Sequence, residues 1–501
     1  MLNTSTASRL QLILGLCLPL AVLLGYMLAE PLDAASLAVV LVIFSVLSIP
    51  LLMRWHHPLL VLSWNAAISP YFLPGQPAAW MLMALASCLV AVITRAIDSN
   101  RRFLPVPAMT KVLAGVVILV VITALMTGGA GLRSMGSDQF GGKYYLYILL
   151  AIIGYFALTS QPIPREQAGW YVAFFFLSGT TAVVSNLAYL GGSGFYFLYQ
   201  LFPPDLAVAQ AQGETSALPG AIRIGGLVPF ALAVWCYLLA RFGLQGMFDL
   251  GKPWRMALFV ALVGAGLLGG FRSVLIFFCL VALILFFLER LWRTRVVFLV
   301  LIGGALILVG LILFSDRLPL SAQRAVSFLP VKIDPIARMD AEVSTEWRLQ
   351  MWKKLLPDVP HYLIKGKGYA LSPSDLYMIQ ESVTRGFANT SDIAALAGDY
   401  HNGLLSLIIP FGIWGVLVFG WLFWAGWRVL YQNHRWGPPE LQRINNLLLA
   451  LYLARLITFL VIFGSIYSDL YYFLGLIGFG VALNGGVRSA VPGSSGEPSP
   501  N

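Results

Sequence analysis

Long, unbroken apolar runs separated by short polar gaps fill most of this chain, and one gap, residues 316–401, is far longer than the rest. The runs lack the strict alternation of a half-buried strand and the one-sided stripe of a surface helix. At roughly 17–25 residues each, they have the length of helices that cross a bilayer. Fourteen spans are predicted, at 10–29, 35–53, 58–73, 78–94, 111–127, 144–160, 168–190, 224–240, 254–270, 273–289, 296–315, 402–427, 444–463 and 468–485. The third is short enough to be tilted or re-entrant. Continuous apolar character argues against a barrel, whose strands would alternate. The expected fold is an all-α polytopic membrane protein with about 12–14 transmembrane helices. Its segments are an N-terminal bundle at 1–315, a helical loop at 316–401, C-terminal transmembrane helices at 402–485 and a disordered tail at 486–501.

Composition agrees. Hydrophobic residues make up 59% of the 501 and charged residues only 11%, with a mean hydropathy of +0.81. The net charge of +10 encodes topology rather than nucleic-acid binding, because of where it sits. With Met1 in the cytoplasm, the cytoplasmic loops carry seventeen Lys and Arg, whereas the short outer loops carry only Arg133, Lys143, Arg223 and Arg272. This places both termini in the cytoplasm and residues 316–401 outside. The long loop holds ten basic and ten acidic residues and is formally neutral, unlike a patch for anionic lipid. Cys17, Cys88, Cys236 and Cys279 all fall in apolar runs and form no disulfide framework or zinc spacing. The first run is too long, and too closely followed by a second, for a cleaved signal peptide.

Chemistry is sought first in the long loop and at its rims. A helix is predicted over 345–356, capped by Ser344 or Thr345 and stopped by Pro357. On it Trp347, Met351 and Leu355 share a face with Trp352 beside them, and Arg348 falls within that apolar arc, where a guanidinium needs an anionic partner. Arg272 lies in the tight gap between two spans, after Gly269 and Gly270. Glycines allow close approach to backbone, and an arginine fork matches phosphate geometry. A hairpin anchor that snorkels is the plainer alternative. Arg223 stands just before the eighth span. His401, preceded by Asp399, opens the twelfth; a helix N-terminus disfavours imidazolium, leaving a neutral ring able to accept a hydroxyl proton. The plainer alternative is a residue that only caps the helix mouth. Arg455, mid-span, calls for a partner; Asp469 is the candidate, in a structural ion pair. No phosphate-binding glycine loop or metal motif is present, so no cofactor or metal is expected.

The ordered set Arg348, Trp352, Gly366 and Gly368, followed by His401, Asn402, Leu405 and Gly412, resembles the O-antigen ligase/polymerase superfamily, with Arg223 and Arg272 similarly placed. The resemblance covers mainly residues 220–415. It implies a GT-C-like fold in the bacterial inner membrane with a helical periplasmic loop over a lipid-facing cavity. It also implies transfer of a glycan from undecaprenyl diphosphate on the periplasmic face. A ligase would use a lipid A–core sugar as acceptor; a polymerase would use another lipid-linked repeat unit. Arg223, Arg272 and Arg348 would hold the diphosphate, His401 would activate or position the acceptor hydroxyl, and Trp352, Gly366, Gly368 and Asn402 would support them. From another class, a transporter or flippase for a lipid-linked or anionic solute would use the same arginines without bond making. A non-catalytic component of a polysaccharide assembly complex is a third reading.

Overall fold

The computed structural model describes residues 34–73, 75–98, 103–129, 141–204, 224–371 and 398–489, with a few isolated positions besides. Most of the expected first span, Arg223 and the tail beyond residue 489 lie outside the described residues.

The chain divides into two compact units, residues 1–56 and 57–501. In the first, residues 34–56 belong to helix α1 (Ala34–Trp64). The second holds the end of α1 and all that follows. Its apolar helices are α2 (Ala79–Ile97), α3 (Pro107–Thr127), α4 (Gly142–Leu158), α5 (Arg165–Gly191), α6 (Leu227–Met247), α7 (Pro253–Leu268), α8 (Arg272–Leu288) and α9 (Val296–Phe314). The interhelix region contains α10 (Leu320–Ala325), α11 (Pro335–Leu355) and α12 (Val359–Tyr362), and the chain ends in α13 (Gly403–Trp436), α14 (Gln442–Val461) and α15 (Ile466–Asn484). No strand element occurs among the described residues. Eight of these helices are long and apolar enough to cross a membrane, and α4, α7 and α8 are shorter apolar helices. The protein is an all-α polytopic membrane protein.

The most enclosed span is α15, packed on α4, α13 and α14. At the other extreme, no residue of α9 is buried, and its mean hydropathy of 3.1 suits lipid on all sides. The helical positions follow the apolar runs closely because the backbone of a membrane span must satisfy its own hydrogen bonds.

Two expectations are corrected. The third span, 58–73, is helical only to Trp64. Beyond it the chain is irregular, since Pro70 disfavours helical geometry at Ser69, and neighbouring segments take up the freed polar groups. Asn65 Nδ2 donates to the Phe175 carbonyl (2.7 Å), Ala67 N to the Thr181 hydroxyl (2.9 Å) and Ser69 N to the Leu201 carbonyl (2.8 Å). Its partner α5 is itself interrupted by a 3-10 segment, Ser178–Val183. The loop helix, expected from residue 345, starts ten residues earlier. Asp334 caps it through Ile336 N (2.8 Å), with Pro335 at the first helical position.

Candidate active site

The site is assembled from three pieces of chain within the second unit. The first is the tight turn between α7 and α8. Gly269 is packed against the start of α6: a Cβ there would meet Val228 Cγ2 at 2.3 Å and the Ile224 carbonyl at 3.6 Å. The carbonyl of Gly270 accepts from Arg324 Nη1 (2.7 Å). The two glycines therefore admit protein groups, and the turn is clamped. Arg272, the first residue of α8, then reaches across to α11, where its Nη2 donates to the Ala341 carbonyl (3.1 Å) and the Thr345 hydroxyl (2.9 Å).

Arg324 fixes the same helix from below. It is 7% exposed, and its Nε meets Asp340 Oδ2 at 2.5 Å, one residue before Ala341. One buried ion pair thus ties the Arg272 turn to the loop helix. Sequence reasoning missed both residues, since nothing in the spacing of Arg324 within S-A-Q-R-A marks it. The Asp-Pro pair at 334–335 was a legible start signal for α11.

The second piece is α11. Met351 is buried, and Trp352 and Leu355 pack with Tyr400, Leu405 and Ile409 at the mouth of α13. Arg348 is half-buried and forms no ion pair among the described residues; its Nε is enclosed and bonded to none of them. The anionic partner expected for it is not supplied by these residues. Its charged neighbour is a second cation, Arg272. Burial, and after it the Arg272 charge, pull the Arg348 guanidinium below its ordinary pKa.

The third piece is Asp399–Asn402. Trp352 Nε1 donates to the Tyr400 carbonyl (2.9 Å), pinning this segment to α11. Asn402 caps α13, its Oδ1 accepting from Leu405 N (3.1 Å). That capping role is therefore not His401's. His401 has a left-handed backbone with φ 47°, a strained geometry for a non-glycine residue. Its ring lies 5.0 Å from Trp347 and 4.9 Å from Phe463. Asp399 Oδ2 stands 3.6 Å from Nε2, too far for a hydrogen bond but close enough to act by charge. Burial lowers the imidazole pKa from its ordinary value of 6.5; Asp399 opposes this and Arg348 adds to it. The ring is accordingly neutral near pH 7.

Gly366 and Gly368 do different work from the arginines. α13 breaks at Gly412, whose φ is 68°. The broken ladder is patched by residues 363–368, which include Gly-Lys-Gly: Lys367 N donates to the Ile409 carbonyl (2.7 Å), Gly368 N to the Pro410 carbonyl (3.0 Å), and Ile413 N to the Leu363 carbonyl (2.7 Å). Such a break is tolerated at membrane depth only when protein satisfies it. Gly368 has φ 69°, and a Cβ there would sit 2.0 Å from Thr127 Oγ1, so no other residue fits.

The structure thus brings together Arg272, Arg348, His401 and Trp352, with Asn402 holding the helix mouth. Gly366 and Gly368 pack instead against the break in α13 and against Thr127 and Tyr145. Arg223 falls outside the described residues, although Ile224 beside it abuts Gly269. Arg455 lies apart from this cluster, in contact with Asp469, the partner expected for it. Chemically, the cluster offers two adjacent guanidiniums for an anion and one neutral imidazole for a hydroxyl proton.

A family model described as O-antigen ligase matches residues 257–420, a stretch that contains Arg272, Arg348 and His401. A search of curated proteins gave no match. The family match supports a membrane glycosyltransferase of the O-antigen ligase/polymerase type.

Proposed function

We propose, with the O-antigen ligase domain as premise, that this chain moves a glycan from undecaprenyl diphosphate to a sugar hydroxyl on the periplasmic face of the inner membrane, as a ligase whose acceptor is lipid A–core. The observation that supports this is Arg348, which forms no ion pair among the described residues and lies within electrostatic reach of both Arg272 and a neutral His401. A half-buried cation within reach of another cation is unfavourable unless an anion joins them. A lipid-linked diphosphate is such an anion. As its sugar–oxygen bond breaks, charge grows on the leaving phosphate oxygen, and preorganised guanidiniums stabilise it most where water is scarce. His401 takes the acceptor proton. The donor is already activated, so neither nucleotide nor metal is required by this scheme. A single displacement inverts the anomeric centre.

The test is reconstitution in vesicles with a lipid-linked glycan and, in separate arms, lipid A–core or a second lipid-linked unit. Joining to lipid A–core is the expected result; elongation of the lipid-linked unit would make the chain a polymerase. His401→Ala is expected to slow transfer by about a hundred- to ten-thousandfold and Arg272→Ala by about a hundred- to a thousandfold, with the protein still inserted. Arg272→Lys should also be impaired, because lysine lacks the paired fork. Transfer at the native rate by both alanine variants overturns the assignment.

A further inference from the structure

We propose that the face formed by Tyr144, Tyr147 and Tyr467, bordered by Asp399, is a saccharide subsite that holds the acceptor glycan beside His401. The inference rests on the transfer reaction proposed above and adds where its second substrate docks.

The tyrosines come from two helices. Tyr144 and Tyr147 lie in the first turns of α4, and Tyr467 opens α15. The Tyr144 and Tyr467 ring centroids are 4.0 Å apart, and Tyr147 lies 6.4 Å from Tyr467. All three are partly exposed. Beneath them Tyr369 is 4% exposed, 5.1 Å from Tyr144 and 6.2 Å from Tyr467. Its N–H donates to the Tyr145 hydroxyl (3.0 Å), and it follows directly on the Gly-Lys-Gly patch. The shelf is therefore anchored in the same layer that mends α13. The His401 segment crosses it: a Cβ on Gly398 would stand 3.9 Å from the Tyr144 ring. Asp399 lies within electrostatic reach of both the Tyr144 and Tyr467 hydroxyls.

Aromatic faces take the apolar C–H face of a pyranose, and tyrosine adds a polar tip at the wet edge. Sugar hydroxyls need acceptors, and the Asp399 side chain, 32% exposed, offers a carboxylate at the edge of these rings. Charge divides the two substrates. A carboxylate repels a diphosphate, so the donor's leaving group belongs with Arg272 and Arg348, and the uncharged acceptor ring belongs with Asp399. His401 touches both sides, facing Asp399 at 3.6 Å and feeling the Arg348 charge. In the step itself, the acceptor oxygen bonds the anomeric carbon and its proton passes to the imidazole. The bond from that carbon to the phosphate oxygen breaks, and its electron pair leaves with the diphosphate.

The experiment measures KM for donor and acceptor separately in the reconstituted arm that turns over. Tyr144→Ala and Tyr467→Ala are expected to raise the acceptor KM about tenfold each, which is about 1.4 kcal/mol, while the donor KM stays within about twofold. Tyr467→Phe keeps the ring face and should raise the acceptor KM by less than about threefold. Tyr467→Leu keeps apolar bulk without a ring, and serves where the alanine variants fail to accumulate; it should behave as alanine does. An unchanged acceptor KM in the Ala or Leu variants, or a rise in donor KM instead, overturns the subsite while leaving the transfer assignment to the His401 and Arg272 variants. Absence of any transfer by the native chain overturns both.

Discussion

Arg455 and Arg348 both sit in apolar surroundings, and the protein treats them in opposite ways. Arg455, in the middle of α14, contacts Asp469 on α15, which is 2% exposed; Asp469 Oδ2 also accepts from Ser465 N (2.9 Å), and the guanidinium lies 5.2 Å from the Tyr472 ring. Its charge is answered within the fold. Arg348 on α11 has no carboxylate among the described residues and stands beside Arg272. The first arrangement locks two helices together. The second carries an electrostatic cost that a bound anion would relieve. The same residue type is thus a fastener in one place and a candidate substrate contact in the other, and the difference lies in what answers the charge.

The comparison can be broken at its structural end first. Asp469→Ala leaves the Arg455 guanidinium unanswered, and should lower stability by about 3–5 kcal/mol, read by thermal unfolding in detergent. The double variant Arg455→Leu/Asp469→Leu should recover most of that loss. A single variant as stable as the native protein would show that the pair fastens nothing.

At the other end the loss should fall on rate rather than stability. Arg348→Ala is expected to cut transfer by about a hundred- to a thousandfold with an unchanged unfolding midpoint, since no intramolecular ion pair among the described residues is lost. A large fall in stability with intact turnover would make Arg348 a second fastener.

The smallest effect concerns pH and sharpens the role of His401. A base must be unprotonated, so transfer falls as pH drops through the folded imidazole pKa, which lies below the ordinary 6.5. Asp399 raises that pKa and Arg348 lowers it. Asp399→Asn should therefore move the acid limb of the pH–rate profile to lower pH, and Arg348→Gln should move it to higher pH. Three superimposable profiles would remove His401 as the group that titrates.

Most helix positions were legible because a bilayer imposes a one-dimensional rule. An apolar run long enough to cross becomes a helix whatever its neighbours, so the expected spans and observed helices agree from α2 to α9 and from α13 to α15. The rule failed where backbone polar groups are satisfied from outside their own segment. Asn65–Ser69 leaves the helix because Phe175, Thr181 and Leu201 lie ready to receive it.

The site divides in the same way. Residue type and position along the chain were enough to single out Arg272, Arg348 and His401 as candidates, because an arginine at a membrane rim or a histidine at a helix mouth is conspicuous in one dimension; Trp352, Gly366, Gly368 and Asn402 entered through the family resemblance. Only the tertiary structure could separate Asn402 as the cap from His401 as the free ring, and make the glycines the patch of a broken helix. It alone could introduce Arg324 and Asp340 as the clamp on the Arg272 turn. Those assignments depend on which groups meet across 16 residues (Arg324 with Asp340), 54 (Arg324 with Gly270) or 69 (Arg272 with Ala341) of intervening chain. Hydrogen bonds and charge act over a few ångströms of space, and chain separation carries no record of that distance.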